Sequence, residues 1–403
     1  MAQETCDVLV LGAGIVGLAV GIAILENRPH SRVLVVDKES NFGMHASGRN
    51  SGVLHAGFYY SPDSLKAKFC REGNLELKKL CKTFEIPVKE CGKVVLTQNE
   101  EEENRLDELH QRGVENGVEL EILEREQLSK YEPLAVTHRR FMWSPNTAIS
   151  DSHSVLEAMS KKFSSMGGIL KFNSRAEFIN KNGEIQDQSG QIQFRQLVNC
   201  SGAQADRLAK RMGVQHEYAM VPFMGIYRSV AEKQLPLRTL VYPVPHSINP
   251  FLGVHFTLTI DGKVKIGPTA IPILGREQYS LMSGWSGNDI KEALRGTYSL
   301  LQGKTHDFSE IVRQEWPKLL QKKLVSDGSK LVPMAKNVKG WIRKPPGIRA
   351  QLVHTPTGKL EQDFVVTNYL NTTHILNAVS PGWTSAIPFG RYISSEFVIP
   401  KLS

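Results

Sequence analysis

One short glycine pattern near the start of the chain constrains its fold more than any other feature. The pattern is G-x-G-x-x-G at residues 12–17, and it lies between two apolar runs. Residues 7–11 (DVLVL) are predicted to form a buried parallel strand, and residues 15–26 a helix that is apolar on most sides. With a second strand predicted at 33–37 (VLVVD), the region forms a β-α-β unit.

Each glycine of the pattern has a physical role in such a unit. Gly12 permits a tight turn, Gly14 lets the backbone approach a pyrophosphate, and Gly17 allows the helix to pack closely on the strand. The N-terminus of the helix adds N–H donors and the positive end of its dipole. Asp37, at the end of the second strand, suits the hydroxyls of a ribose and disfavours a 2′-phosphate. The unit therefore predicts a dinucleotide site contacted by Asp37 and the adjacent Lys38, and it leaves NAD and FAD open.

Composition narrows the range of partners. The 403-residue chain is 41% hydrophobic and carries a net charge of +8, with its basic residues dispersed. That charge suits an anionic substrate, an anionic membrane surface or a nucleic acid. No nucleic-acid-binding motif accompanies it, so no nucleic-acid partner is predicted. Five cysteines without a C-x-x-C pair indicate free thiols in a reducing compartment, predict no metal site and favour a cytoplasmic location.

Residues 8–25 are apolar and numerous enough to suggest a membrane span. Four glycines interrupt the stretch, no basic leader precedes it, and a second apolar run follows it. A buried strand, a turn and a buried helix explain these features better. We therefore predict no membrane span and expect any membrane contact to be peripheral.

The remaining chain alternates between helical and extended patterns. Helices are predicted over residues 65–85, 99–115, 153–166 and much of 286–324. Extended segments are predicted near 93–97 and 139–143, at 167–172 and 191–200, and as hairpins over 219–275. The glutamates at 100–103 indicate a solvated helix start rather than a metal site. The apolar segment from residue 373 onward is predicted to form a strand, a Gly/Pro turn and a helix.

These elements predict two domains, each built from separate parts of the chain. A Rossmann-like nucleotide-binding domain comprises residues 1–84, 149–218 and 345–403. An inserted, mostly antiparallel-sheet domain for the substrate comprises residues 85–148 and 219–344. The predicted fold class is therefore α/β combined with α+β.

Four blocks of sequence carry a resemblance to a known family. They are HASGRNSGVLHAGFYYSPDSLKAKFC (45–70), VNCSGAQADRLA (198–209), YPVP with FLGVHFT and DGKVKIGP (242–268), and GIRAQL (347–352). On these blocks the chain is similar to the L-2-hydroxyglutarate dehydrogenase/oxidase family within the D-amino-acid-oxidase-like superfamily of FAD-dependent oxidoreductases. The resemblance covers nearly the whole chain, with departures at 269–276 and 377–390.

The resemblance implies FAD, bound without a covalent link, as the cofactor. It also implies further cofactor contacts in three places, namely the polar turn of Ser47, Gly48, Asn50 and Ser51, the motif around Gly202, and the final turn of Gly382, Thr384 and Ser385. The final turn is expected to bring a helix N-terminus to the flavin pyrimidine, where negative charge develops on reduction. A covalent link through His45 or a cysteine stays open as the alternative.

The reaction that the resemblance implies is oxidation of a 2-hydroxy acid, which needs a hydride acceptor, a base and a cation. FAD supplies the acceptor. A histidine is the natural base for the hydroxyl proton, and His55 and His255 are the candidates because each lies in a family-specific block. Arg349 is the candidate for the carboxylate, since arginine pairs bidentately with such a group. Lys66 and Tyr242 are weaker candidates.

The resemblance further implies L-2-hydroxyglutarate as substrate and 2-oxoglutarate as product, with the electrons passed to a membrane quinone or to oxygen. Such an acceptor keeps open a peripheral association with the inner face of the cytoplasmic membrane. An amino-acid or amine oxidase, or a glycerol-3-phosphate dehydrogenase, is the alternative within the superfamily. A flavin-binding protein without turnover, acting as a structural or tRNA-modifying partner, is the alternative from another class.

Overall fold

The computed structural model describes residues 3–176, 178–179, 184–187, 190–246, 252–280, 283–303 and 308–402. The helices in these ranges are α1 (Ile15–Asn27), α2 (Leu65–Thr83), α3 (Glu100–Glu115), α4 (Leu128–Tyr131), α5 (Ser152–Ser165), α6 (Ala205–Arg211), α7 (Gly287–Gln302), α8 (Phe308–Glu315), α9 (Gln321–Gly328) and α10 (Ala386–Ile393). The predicted helices are present at bounds close to those expected, and residues 304–307 of the predicted helical segment lie outside the described residues.

The strands follow the predicted extended segments. They are β1 (Gln3–Leu11), β2 (Val33–Val36), β3 (Val53–Leu54), β4 (Val88–Lys89), β5 (Lys93–Leu96), β6 (Glu121–Glu124), β7 (Arg140–Ser144), β8 (Ala148–Ser150), β9 (Ile169–Lys171), β10 (Phe178–Ile179), β11 (Glu184–Asp187), β12 (Gly190–Asn199), β13 (Tyr218–Gly225), β14 (Arg228–Ala231), β15 (Leu240–Pro243), β16 (His255–Leu258), β17 (Lys263–Gly267), β18 (Ile271–Pro272), β19 (Ile342–Arg343), β20 (Gly347–His354), β21 (Lys359–Leu360), β22 (Val365–Tyr369) and β23 (Thr372–Asn377).

The first β-α-β unit forms as predicted and belongs to a parallel sheet. Its strands run in the order β9-β2-β1-β12-β23, all parallel. β22 extends this sheet antiparallel to β23, and the hairpin of β10 and β11 pairs with the first part of β12. Parallel strands present their carboxyl ends at one edge, which is where ligands bind in folds of this type.

α1 is buried between the parallel sheet and two other helices, and every residue from 17 to 25 is buried. A Cβ added at Gly21 would lie 2.7 Å from the ring of Phe163 in α5, and one added at Gly390 in α10 would lie 2.6 Å from the backbone of Ala19. These glycines therefore let α5 and α10 pack directly on α1. No helix within the described ranges is long and apolar enough to cross a membrane.

Three further sheets are mostly antiparallel. The largest has the order β19-β14-β17-β16-β15-β5-β7-β6, in which β15 and β5 are parallel. The others have the orders β18-β13-β20-β21 and β3-β8-β4. A parallel Rossmann-like sheet combined with antiparallel sheets confirms the predicted fold class. β20 follows residue 345, in the predicted nucleotide-binding part of the chain, yet it pairs with β13, nearly all of which falls in the predicted substrate domain. The division of the chain into two domains therefore stays a prediction.

The glutamate run at 100–103 begins α3 as predicted, but it is not solvated throughout. Glu103 is buried and accepts hydrogen bonds from Thr97 Oγ1 at 2.6 Å and from Arg140 Nε at 3.1 Å. Glu102 is also buried and accepts from the Gln98 N–H at 2.7 Å. The expectation of a solvated run is therefore wrong for these two carboxylates, because donors from the segment after β5 and from β7 surround them.

Candidate active site

A cavity of about 1040 Å³ opens at the carboxyl edge of the parallel sheet. Leu11 and Val36, the last residues of β1 and β2, line one part of it, and His255 in β16 and Arg349 in β20 line another. Its volume is at the upper end of the range for ligand sites. The cavity therefore has room for a large cofactor and a small substrate between the parallel and antiparallel sheets.

The glycine turn between β1 and α1 contributes Gly12 and Gly14 to the wall of the cavity. Gly12 has a φ of +108°, and a Cβ there would lie 2.6 Å from the carbonyl oxygen of Cys200. Gly14, the N-cap residue of α1, has no side chain to bond the first turn, and the positive end of the helix lies at the cavity wall. Gly202, at a φ of +55°, lines the cavity as well. A pyrophosphate fits this turn because its glycines leave open the space that side chains would occupy.

The polar loop after β2 packs against the glycine turn. Ser47 Oγ accepts a hydrogen bond from the Ile15 N–H at 3.0 Å. Asn50 holds the loop together, since its Nδ2 donates to the Ser47 carbonyl at 2.6 Å and its Oδ1 accepts from the Gly52 N–H at 2.9 Å. Ser47, Asn50 and Ser51 line the cavity, as the prediction of cofactor contacts requires.

Three of the predicted cofactor contacts are not among the described residues that line the cavity: Gly17, Gly48 and Ser385. Gly17 serves packing, because a Cβ there would lie 1.9 Å from the Gly12 carbonyl oxygen. Gly48 likewise approaches the Gly43 carbonyl oxygen, at 2.4 Å from an added Cβ. Ser385 is the buried N-cap residue of α10. These three residues stabilise the backbone around the cavity rather than line it.

Asp37 and Lys38 line the cavity and already have partners within the chain. The Asp37 carboxylate accepts from the N–H groups of Ala13 at 2.7 Å and Glu39 at 2.9 Å, which ties the end of β2 to the glycine turn. A carboxylate has further lone pairs, so Asp37 can still accept from a ribose. Lys38 Nζ donates to Glu39 and, at 2.9 Å, to Glu277.

Glu39, His45 and Glu277 bring three potential metal ligands within 4.8 Å of one another. Lys38 Nζ lies among them, 3.3 Å from His45 Nε2, and its ammonium supplies positive charge to the two carboxylates. His45 Nε2 is also 3.0 Å from Glu39, and His45 Nδ1 is 2.6 Å from the Tyr279 hydroxyl. Because both ring nitrogens are engaged, this geometry disfavours the covalent link through His45.

The final turn lies against the segment that carries His55. Thr384 Oγ1 donates to the Val53 carbonyl at 3.2 Å and accepts from the His55 N–H at 3.3 Å. Gly382 and Thr384 line the cavity. A Cβ at Gly382 would lie 2.1 Å from the Ala378 carbonyl oxygen, so the turn requires glycine there.

His255 has the geometry of a base. It lines the cavity and is 3% exposed. Its Nδ1 lies 2.8 Å from the Gly253 carbonyl oxygen, and because a carbonyl only accepts, Nδ1 carries the proton and Nε2 the lone pair. Burial lowers the pKa of His255 to about 3, and the charges of Lys93 and Arg349 act in the same direction. The side chain is therefore neutral at neutral pH, with its lone pair on Nε2.

His55 lies on the wall of the same cavity, just after β3. Its Nδ1 is buried, and no hydrogen-bond partner for that atom is found among the residues that the structure describes. Burial lowers the pKa of His55 well below its usual range, and the charges of Lys93, His255 and Arg349 lower it further. Since a charge on His255 disfavours one on His55, the two rings are unsuited to be protonated together.

Arg349 lines the cavity together with both histidines. Burial lowers the pKa of its guanidinium. Lys66 in α2 is buried away from the described lining residues, with Nζ 6.0 Å from the centre of the Tyr60 ring and 5.8 Å from that of Phe364. Burial and the charge of Arg349 lower the pKa of Lys66 to about 7. Of these two cations, Arg349 is the one that lines the cavity.

Two buried cations near the cavity were not indicated by the sequence. Arg276 pairs with both oxygens of Asp206 in α6 and, at 2.6 Å, with Glu292 in α7. Lys93 in β5 lies over the ring of Tyr242, itself a lining residue. A lone lysine or arginine in an extended segment or loop usually lies at the surface. The sequence does not show which residues contact Arg276 or Lys93, so neither could be identified from it as a buried cation.

Known proteins are similar to this chain over nearly its whole length. The sequence profile of a family described as FAD dependent oxidoreductase matches residues 7–396. The chain is 35% identical to L-2-hydroxyglutarate dehydrogenase of Escherichia coli (strain K12), over 97% of this chain and 92% of the relative. It is 32% identical to the mitochondrial L-2-hydroxyglutarate dehydrogenase of Homo sapiens, over 98% of this chain and 89% of the relative.

Solved structures share the fold at lower identity. Dithionite-reduced L-alpha-glycerophosphate oxidase from Mycoplasma pneumoniae with FAD bound has a TM-score of 0.75 at 21% identity, over 97% of this chain and 94% of the other. Glycine oxidase from Geobacillus kaustophilus has a TM-score of 0.70 at 17% identity, over 98% and 95%. The match of the family profile over nearly the whole chain agrees with the glycine turn and the cavity. The chain therefore belongs to the family of FAD-dependent oxidoreductases, and its cofactor is FAD.

Proposed function

We propose that the chain oxidises L-2-hydroxyglutarate, or a close 2-hydroxy acid, to the corresponding 2-oxo acid. The observation that carries the proposal is the position of His255, His55 and Arg349 on the wall of one cavity that also contains the glycine turn. The bacterial and human relatives named L-2-hydroxyglutarate dehydrogenase support the choice of substrate.

In this proposal His255 takes the hydroxyl proton of the substrate at Nε2. The hydrogen bond from Nδ1 to the Gly253 carbonyl holds the ring and maintains the required tautomer. When bound, FAD supplies the acceptor for the hydride that leaves C2. Removal of the hydroxyl proton assists the departure of the hydride, because negative charge on oxygen helps the carbonyl of the product to form.

Arg349 is proposed to hold a carboxylate of the substrate through two parallel hydrogen bonds. This contact would place C2 and its hydroxyl near the base, which converts binding energy into orientation. The carboxylate would also affect His255, whose pKa is low in the protein alone. An anion nearby favours the protonated ring, so substrate binding is expected to raise the pKa of the base toward neutrality.

His55 is the second candidate for the base. It lines the same cavity, and its backbone N–H donates a hydrogen bond to Thr384 Oγ1 at 3.3 Å. The Gly253 carbonyl determines the tautomer of His255, whereas Nδ1 of His55 has no hydrogen-bond partner among the described residues. We therefore propose His255 as the base and His55 as a neighbour that contacts the substrate or the cofactor.

A non-catalytic role suits this site less well, because a protein that only binds flavin needs no paired base and guanidinium. The choice between a 2-hydroxy acid and an amine substrate rests on a direct test. Purified protein should be yellow, and its flavin should be bleached anaerobically by L-2-hydroxyglutarate. The D-enantiomer, glycerol 3-phosphate, glycine and L-proline serve as controls. Faster bleaching by any of these four compounds would contradict the proposed substrate.

The electron acceptor and the location are also proposals. We propose that electrons pass to a membrane quinone or to oxygen, and that the protein is cytoplasmic with a peripheral contact to the inner face of the membrane. The net charge of +8 supports attraction to an anionic surface. Leu294, Tyr298 and Leu301, spaced along one face of α7, are exposed apolar side chains that could enter it. Extraction by high salt without detergent is the expected result, and a requirement for detergent would contradict it.

A further inference from the structure

Lys93 is a fully buried lysine in the second sheet, with an exposed fraction of 0%. Within the described part of the chain, its Nζ has no hydrogen-bond partner. Three aromatic rings surround the ammonium, at 4.3 Å for Tyr242, 5.0 Å for Tyr59 and 5.2 Å for Phe58. A cation over an aromatic face is attracted by the ring quadrupole, and the attraction is strongest where water is excluded. The ammonium is therefore held by rings rather than by an ion pair.

The order of the strands connects this lysine to the proposed base. β15, which carries Tyr242, lies between β5, which carries Lys93, and β16, which carries His255. The register that pairs Val241 with Phe256 places Tyr242 opposite His255. The two rings stack, with centroids 3.8 Å apart and an angle of 16° between their planes. Lys93, Tyr242 and His255 thus form a row across three neighbouring strands.

We propose that Lys93 is a positioning residue for the base: its ammonium holds the Tyr242 ring against His255, and its charge disfavours the protonated imidazole. The inference rests on the proposed role of His255. Lys93 is not itself among the described residues that line the cavity, and it reaches the site through Tyr242, which is one of them.

Other titratable or charged groups also face the row formed by Lys93, Tyr242 and His255. The titratable or charged groups that face His255 or Lys93 are Tyr242 from β15, Tyr227 from the segment before β14, Arg349 from β20, His55 after β3, Tyr59, Cys70 from α2, and Cys91. None of these described neighbours is a carboxylate, so none of them carries a carboxylate charge that offsets Lys93 near the base. Burial lowers the pKa of Lys93 to about 7, and a bound anionic substrate would favour its charged form.

The size of the effect follows from the geometry. The separations of 4.3 Å and 3.8 Å place the ammonium no more than about 8 Å from the imidazole centre. At an effective dielectric constant of about 20, a unit charge at that distance shifts a pKa by about 1.5 units. Removal of the charge should therefore move the acidic limb of the rate profile to higher pH by about one to 1.5 units.

The test compares Lys93→Met, which removes the charge at similar volume, with Lys93→Arg, which keeps it and can stack on the rings. The matched control is Lys89→Met, which removes a half-exposed lysine of β4 that pairs with Glu232. Each FAD-loaded protein is mixed anaerobically with L-2-hydroxyglutarate, and flavin absorbance is followed as a function of pH. Thermal unfolding of each protein is measured in parallel.

We expect Lys93→Met to shift the acidic limb to higher pH, Lys93→Arg to return the limb toward the wild-type position, and Lys89→Met to leave the limb where it is in wild type. An unshifted limb in Lys93→Met would overturn the proposal, even if the variant were less stable, because a purely structural lysine lowers stability without moving a titration. Failure of the proposed function would look different, since then wild-type flavin would not be reduced or His255→Gln would keep the wild-type rate.

Lys93→Met could fail to fold, and a second pair of variants keeps the test decisive. Tyr242→Phe retains a ring between Lys93 and His255, whereas Tyr242→Leu does not. We expect Tyr242→Leu to slow flavin reduction at least tenfold more than Tyr242→Phe does. Equal rates in these two variants would overturn the proposal independently of Lys93→Met.

Discussion

The buried pair of Arg276 and Asp206 offers a test of how the segment 275–279 is held over the cavity. Both side chains are almost fully buried, with exposed fractions of 3% and 2%. The guanidinium contacts both carboxylate oxygens, one of them at 2.9 Å, and it also donates to the Ala203 carbonyl at 2.5 Å. Arg276→Met would keep the apolar stem but leave the Asp206 charge buried without its partner.

Loss of one partner from a buried ion pair costs about 3–5 kcal/mol of the free energy of unfolding. The unfolding entropy of a chain of 403 residues is about 0.85 kcal/mol per kelvin at roughly 2.1 cal/mol/K per residue. Arg276→Met should therefore lower Tm by about 4–6 °C. Arg313→Met is the control, because Arg313 pairs with Glu310 at the exposed surface of α8 and such pairs contribute less than about 1 kcal/mol.

The assay is thermal unfolding followed by circular dichroism, with flavin fluorescence recorded to detect release of FAD. Arg276→Met should release FAD at a lower temperature than wild type, because Arg276 lines the cavity. The double variant Asp206→Asn/Arg276→Met should recover much of the lost stability, since it removes the unpaired charge. A Tm within about 1 °C of wild type for the single variant, or a double variant no more stable than the single one, would refute this reasoning.

The pH dependence of the same variant has a defined sign. Burial alone would raise the pKa of Asp206, but hydrogen bonds and charge from Arg276 outweigh it and hold that pKa below its usual range. The pair therefore contributes stability above the usual carboxyl pKa of about 4, and this contribution is lost as pH falls through the lower folded-state value. The difference in Tm between wild type and Arg276→Met should be largest near neutral pH and should shrink in acid.

Three further predictions concern the active site. His255→Gln should slow flavin reduction by L-2-hydroxyglutarate by on the order of a hundred-fold, as loss of a base does, and stopped-flow absorbance checks this; if His255→Gln and His55→Gln both stay within a few-fold of wild type, the base lies elsewhere. Arg349→Ala should raise KM and lower kcat through lost orientation, and an Arg349→Lys variant that binds substrate as tightly as wild type would exclude a bidentate clamp. Acid or heat denaturation should release free FAD into the supernatant, whereas yellow colour in the pellet would indicate a covalent link.

The local pattern of the sequence was sufficient for the nucleotide end of the site. The strand at 7–11, the turn with Gly12 and Gly14, and the helix from residue 15 were predicted from neighbouring residues alone. Such a unit can be recognised because hydrophobic periodicity and the conformation of glycine are local properties. The position of Asp37 at the end of the second strand was also predicted from spacing, although the hydrogen bonds that it accepts from Ala13 and Glu39 were not.

The tertiary structure decided which side chains meet at the substrate end. His55, His255 and Arg349 are far apart in the sequence, and the sequence alone offered twelve histidines as candidates. Their meeting on one cavity wall depends on strand order and register, which long-range pairing determines. The burial of Glu103 and the row from Lys93 to His255 have the same origin. From the sequence alone, a charged residue is expected to be exposed to solvent. The residues that contact it when it is buried are known only from the structure, because they come from distant strands.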